Sequence, residues 1–135
     1  MTQSIQVTYS KVYPFPGNYK WQEFWTEGVY IFLTNKQLRK IGDTTSTYFT
    51  PFYVGQSQQI GPELLNHYRN TRNPRLRTIF AQRQGDIYVV YLPLRGEKAR
   101  KDVEAELINV YLTRGFDLCN EEIPPRPKEL DINIF

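Results

Sequence analysis

Two features of this chain have the residue types and spacing to do chemistry: an acid on an apolar helical face, and a run of arginines. The stretch from Lys98 to Thr113 has the pattern of a long amphipathic helix, closed by Gly115 after Arg114. At roughly 100° per residue, Val103, Leu107, Ile108, Val110 and Tyr111 gather on one side. Glu104 falls on that side, between Tyr111 and Ile108, whereas Glu106 turns to the polar side with Asp102 and Asn109. A carboxylate in apolar surroundings costs several kcal/mol unless it is paired, hydrogen-bonded or bound to a metal. The plainer alternative is an edge-of-core glutamate whose stem packs and whose head reaches water. The second feature lies between Leu64 and Gly85. Arg69, Arg72, Arg75, Arg77 and Arg83 occur there with no Asp or Glu, while the whole chain is only +3, so the remainder sums to −2. A one-sign segment in a nearly balanced chain is a candidate polyanion-binding surface. Its alternative is a solvated helix and loop.

These residues need elements to position them. Gly28 to Leu33 is β-branched and aromatic, and reads as a strand buried on both faces. A polar excursion is expected from Thr34 to Thr50, after which Pro51 to Val54 resumes as a strand ended by Gly55, making a hairpin with an enlarged loop. Gly61-Pro62 starts a helix running to about Arg69, and Asn73-Pro74 interrupts it. Arg75 to Gln84 reads as a short second helix, and Asp86 to Leu92 as the clearest strand. Ile5 to Tyr9 alternates like a short strand, and the Pro-rich tail after Asn120 is expected to lie extended over the surface. The order predicts an α+β fold: a central antiparallel sheet of at least three strands flanked by helices.

The 135 residues suit one domain, with 1–27 as an N-terminal extension, 28–120 as the core and 121–135 as the tail. Ten Tyr, eight Phe and two Trp supply enough apolar material to exclude wholesale disorder. Cys119 is the single cysteine, which excludes an internal disulfide and a cysteine-based zinc site. No run approaches a membrane span and Met1 to Ser10 has no apolar signal core, so a soluble, cytoplasmic protein with no membrane partner is expected.

Gly28-Val29-Tyr30 on one strand, Tyr53-Val54-Gly55 on the next, then a helix and an acid on a later helix together resemble the GIY-YIG nuclease superfamily. The segment from Glu104 to Ile108 is similar to that family's E-x-x-L-I helix, and Asn120 to the Asn that follows it. His67 lies fourteen residues after Tyr53, where the family has His or Tyr. The resemblance covers residues 28–120 and implies cleavage of DNA with one divalent ion, Mg²⁺ or Mn²⁺. It makes Glu104 the metal ligand and Tyr53 the favoured general base. It places Tyr30 and His67 around proton transfer or the scissile phosphate, and gives Asn120 a part in holding the site together. Packing tyrosines, a surface histidine and a turn asparagine are the plain alternatives.

The chain departs from the family pattern at one catalytic position. Ten residues after Tyr53, where the family has a phosphate-binding arginine, stands Glu63. A negative charge there repels phosphate and removes transition-state stabilisation, although an acid in a first helical turn also complements the helix dipole. Arg69 lies across the helix from Glu63 and His67, while Arg72, Arg75 and Arg77 are the cations that can fold back. The stretch between the two tripeptides is also longer than usual for the family. The expected function is therefore a metal-dependent DNA endonuclease or a weakly active relative. The alternative is a catalytically degenerate domain that binds nucleic acid or protein.

Overall fold

A computed structural model describes residues 3–39, 45–126 and 130–134. Its main sheet has four antiparallel strands in the order β2-β5-β3-β4, where β2 is Tyr13–Pro14, β3 is Gly28–Arg39, β4 is Thr45–Ser57 and β5 is Ile87–Pro93. β3 is central along its first half, paired to both β4 and β5. That is why Val29 to Phe32 are apolar without alternation: all four are fully buried. Their side chains divide by parity. Tyr30 and Phe32 face a core shared with α1 (Ile60–Asn70), α2 (Pro74–Gln82) and the N-terminal segment around Phe15 and Trp21. Val29, Ile31 and Leu33 face a second core built on α3 (Glu97–Thr113) through Val103, Leu107 and Ile108. The molecule is thus an α+β arrangement with helices on both faces of the sheet.

The polar stretch 34–50 corrects the expectation of an excursion. β3 continues to Arg39 and β4 begins at Thr45, in unbroken register from Thr34↔Thr50 to Arg39↔Thr45. Threonine and aromatic residues favour the pleated backbone. β4 also runs past Gly55 to Ser57. A register shift lies between Phe32/Leu33 on β3 and Tyr53/Pro51 on β4, leaving Phe52 as the extra residue. The bulge lets Phe52 and Tyr53 both pack against the α1/α2 core.

α2 starts where Asn73 caps it, its Oδ1 accepting from the Arg75 and Leu76 amides, with Pro74 at the first helical position. α3 ends at Gly115, whose φ of 89° suits glycine. The N-terminal strand β1 is Gln3–Val7, and β6 (Leu130–Ile134) pairs with it in parallel. The expectation of an extended tail thus lacked a strand. Between them, residues 121–126 lie against α3: the Asn109 amide donates to the Pro124 carbonyl (2.9 Å) and Arg126 forks onto Glu106 (2.6 and 2.9 Å). No helix among the described residues is long and apolar enough to cross a membrane.

Candidate functional site

β4 is an edge strand, and its outer backbone groups need partners. The chain after α3 supplies them. Cys119 donates its amide to the Phe52 carbonyl (2.6 Å), and the Asn120 side chain both accepts from the Val54 amide (3.1 Å) and donates to the Val54 carbonyl (2.7 Å). Asn120 therefore mimics a strand residue and fixes β4 beside Tyr53. The turn is held in its place by Asn73, which donates to the Cys119 carbonyl (2.7 Å).

This edge forms one wall of an open cleft of about 810 Å³. Tyr53, His67, Arg72, Glu104 and Asn120 line it, and the strap from Ile123 to Pro125 borders it. Glu104 enters from α3 and His67 from α1, although these helices cover opposite faces of the sheet, because both reach past the β4 edge. Tyr30 completes an aromatic cluster. Its ring centroid is 6.3 Å from Tyr53 and 6.0 Å from His67, and Tyr53 and His67 are 5.1 Å apart. Tyr30 and Gly55 are cross-strand partners, and a Cβ at position 55 would overlap the Tyr30 ring and hydroxyl. Glycine in the second tripeptide is thus the space through which the first tripeptide's tyrosine reaches the edge strand.

The electrostatics are those of an acid-rich, partly dry site. Tyr30 is fully buried and its hydroxyl lacks a hydrogen-bond partner. Burial first, and then the Glu63 charge, push its pKa well above the ordinary tyrosine value. Glu63 is near enough to act electrostatically, but no hydrogen bond of acceptable geometry forms. Burial, then Glu63 and Glu104, push Tyr53 up to about 12. Burial holds the His67 pKa down, so its imidazole is neutral at physiological pH. Glu63 is also raised by burial, with the Tyr30 hydroxyl and Arg100 acting in the opposite direction. Glu104 is pushed up to about 7, first by burial and then by Glu63, with Lys101 only partly offsetting them. Both carboxyls are thus raised, and the Glu63 charge is one of the causes for Glu104.

The five residues expected to act together, Tyr30, Tyr53, His67, Glu104 and Asn120, are thus brought together. Glu63 lies half-buried next to them without lining the cleft. The arginine segment is not kept as a set. Arg75 is tied to Asp117 (2.5 Å) and the Leu118 carbonyl (2.8 Å), Arg83 to Asp86 (2.5 Å), and Arg77 to the Thr71 carbonyl (3.1 Å). The segment without acids is thus paired with two: Asp86, the residue that follows it, and Asp117, brought from after α3. Arg69 and Arg72 make no ion pair or side-chain hydrogen bond among the described residues, and only Arg72 of the five lines the cleft.

One residue passed unnoticed in the sequence: Arg100, 4% exposed, which binds Glu27 and the Gln56 side-chain oxygen (2.8 Å). Glu27 also accepts from the Gly96 amide (3.0 Å) at the start of α3, and this amide and then the guanidinium hold its carboxyl below the ordinary value. The signal was available, since at roughly 100° per residue Arg100 falls on the same apolar face as Glu104, one turn earlier. No group of three His, Cys, Asp or Glu able to hold a metal occurs among the described residues; the carboxylates lining the cleft are Glu104, Glu121 and Glu122. Comparison with known proteins finds no matching family model, no similar curated protein and no similar solved structure.

Proposed function

We propose that the chain is a GIY-YIG-type, metal-dependent DNA endonuclease of low activity. The observation that carries this reading is the meeting of Tyr53, His67, Glu104 and Asn120, from four separate segments, in one cleft with Tyr30 packed against them. A packing accident would not be expected to leave a carboxyl group held near 7 among aromatic rings.

A single hard cation fits the carboxylates of the cleft. Glu104 would hold it, with Glu121 and Glu122 lining the same cleft, and one or two carboxylates are what Mg²⁺ commonly takes when water and substrate phosphate complete its shell. When bound, such an ion neutralises phosphate charge and lowers the pKa of water. The chain's own groups then divide the remaining work. Glu104 would hold the ion in its ionised form, so binding would strengthen as pH rises through 7. Tyr53, with a pKa of about 12, is protonated at neutral pH and serves as a hydrogen-bond donor towards phosphate or water. His67 is neutral and lines the cleft, which makes it the group able to accept a proton. Arg72 is the cleft's cation for a phosphate, while Arg100 is occupied by Glu27 and Gln56 and nearly closed to solvent. Asn120 keeps β4 and Tyr53 in place.

Glu63 favours a second reading, a degenerate domain retained for binding. Its charge acts on Tyr30, Tyr53 and Glu104 alike. Plasmid nicking with Mg²⁺ and with Mn²⁺ separates the two. Slow, metal-dependent nicking that vanishes in Glu104→Ala is the expected result. DNA binding without nicking by the natural chain supports the binding module, and nicking unchanged in Glu104→Ala refutes the assignment of the site.

A further inference from the structure

The N-terminal segment builds a second recess, at the opposite edge of the sheet from the cleft. Tyr13, Tyr19, Trp21, Phe24 and Tyr91 line it, with Lys20, and its volume is about 270 Å³. β2 and β4 are the two edges of a four-stranded sheet, which at about 4.8 Å per strand sets the recess roughly 14 Å across the sheet from the Tyr53 strand.

The rings are arranged as walls. Tyr13 and Tyr91 stack with their planes 13° apart and centroids 6.1 Å apart, and Tyr19 stands edge-on to Tyr13 at 5.2 Å. Trp21 forms the floor, 3% exposed, with its indole N–H donating to the Pro16 carbonyl (2.7 Å). Tyr19, by contrast, is 49% exposed. The left-handed turn at Gly17 permits this approach, since a Cβ there would lie 3.1 Å from the Tyr19 ring. A tyrosine held at the mouth of an aromatic recess, half in water, offers a flat apolar face for which the described fold supplies no covering group.

Charge selects the occupant. Residues 1–22 contain Lys11 and Lys20 but no Asp or Glu, and Glu23 is the first acid in the chain. Lys11 sits 5.7 Å from the Tyr13 ring centroid, and Lys20 lines the recess. An organic cation would stack on such rings but meet two like charges. A proline-rich peptide also docks on aromatic rings, but has no use for the lysines. A planar heterocycle attached to a phosphate satisfies both features: its π-face stacks, and its anionic group reaches an ammonium.

We propose that this recess binds a nucleobase of single-stranded nucleic acid stacked on the half-exposed Tyr19 ring, with Lys11 and Lys20 on the adjoining phosphates. The site stands apart from the chemistry of the cleft and holds whether or not the cleft cuts DNA. The test is fluorescence anisotropy of a short labelled oligothymidine at low salt, alongside an abasic strand of the same length. The expected result is binding by the natural chain that weakens about tenfold or more in Tyr19→Ala and on the abasic strand. Tyr19→Phe should retain it, because stacking needs the ring and not the hydroxyl. Lys20→Ala should weaken binding and flatten its salt dependence, and it gives an independent reading if Tyr19→Ala fails to fold. Equal binding of the abasic strand, binding unaffected by Tyr19→Ala and Lys20→Ala, no binding at low salt, or displacement by a proline-rich peptide would each overturn the proposal.

Discussion

Replacing Glu104 by Gln should stabilise the protein at pH 8 and leave it nearly unchanged at pH 5. The Glu104 carboxyl is pushed from the ordinary 4.5 to about 7 by burial and by Glu63. Its folded pKa is thus above its unfolded one, so between the two values the native state holds more protons than the unfolded state. Stability therefore falls as pH rises from about 4.5, and the penalty is complete above about 7. At ~1.4 kcal/mol per pKa unit the full shift corresponds to about 3 kcal/mol. The group is partly open to water, and screening reduces this to roughly 1–2 kcal/mol. Gln keeps the shape and removes the charge, so it should recover that amount where Glu104 is ionised and little where Glu104 is protonated. For a chain of this size the gain corresponds to roughly 4–8 °C in melting temperature. Thermal melts followed by circular dichroism at the two pH values measure it. A variant that is equally stable or less stable at pH 8 would show that the carboxylate has partners stronger than the surroundings described here, and would refute the account of an unpaired charge.

Glu63→Arg should increase DNA affinity or cleavage, because it restores a cation at the position where the charge now repels phosphate, and Arg100 nearby is already neutralised by Glu27. Robust cleavage by the natural chain that is lost in this variant would reverse the role given to Glu63. Duplex DNA binding should be weak and fall steeply with salt, and Arg72→Ala should reduce the salt slope by about one counterion, whereas Arg75→Ala should act mainly on stability through its ties to Asp117 and Leu118. A salt titration in which the two variants behave alike would argue against Arg72 as the cleft's phosphate contact.

The legible parts of the fold were those in which one physical demand dominates. β3 was readable because a strand buried on both faces must be apolar throughout, and α3 because a helix over a sheet must carry one apolar side. The long β3–β4 arm was not readable, because its sequence is polar and polar β-formers resemble a loop. The β1–β6 pair was hidden for another reason: it joins segments from the two ends of the chain, and no local signal reports a partner so distant. The candidate site residues were picked out by their order, and the fold brings them together, but Gly55 acquires its physical meaning only from the Tyr30 ring beside it. The arginine segment misled because charge was counted within fixed bounds along the chain: Asp86 stands one residue beyond them, and Asp117 arrives through folding.

The apolar side of α3 carries two charges one turn apart, and the protein treats them differently. Arg100 is the more deeply buried, and it receives a carboxylate and an amide oxygen in return; Glu27 is in turn satisfied by the Gly96 amide. A fully partnered buried ion of this kind locks the start of the helix against the sheet, and removing one partner would strand the other charge. Glu104 has no such arrangement. Its neighbours are tyrosines raised by its own charge, a neutral histidine and two further acids, Glu63 and Glu122, with Lys101 offsetting them only in part. If the fold required a charge at position 104 for its own stability, a partner like that of Arg100 would be expected. A cost left standing in an open cleft, beside a helix start where the same problem is solved, is the pattern of a group kept for what it binds. Glu63 enlarges that cost. Selection for phosphate binding alone would remove it, so under the proposed function these acids would serve a cation first, and nucleic acid would be recruited separately, through Arg72 and the proposed recess.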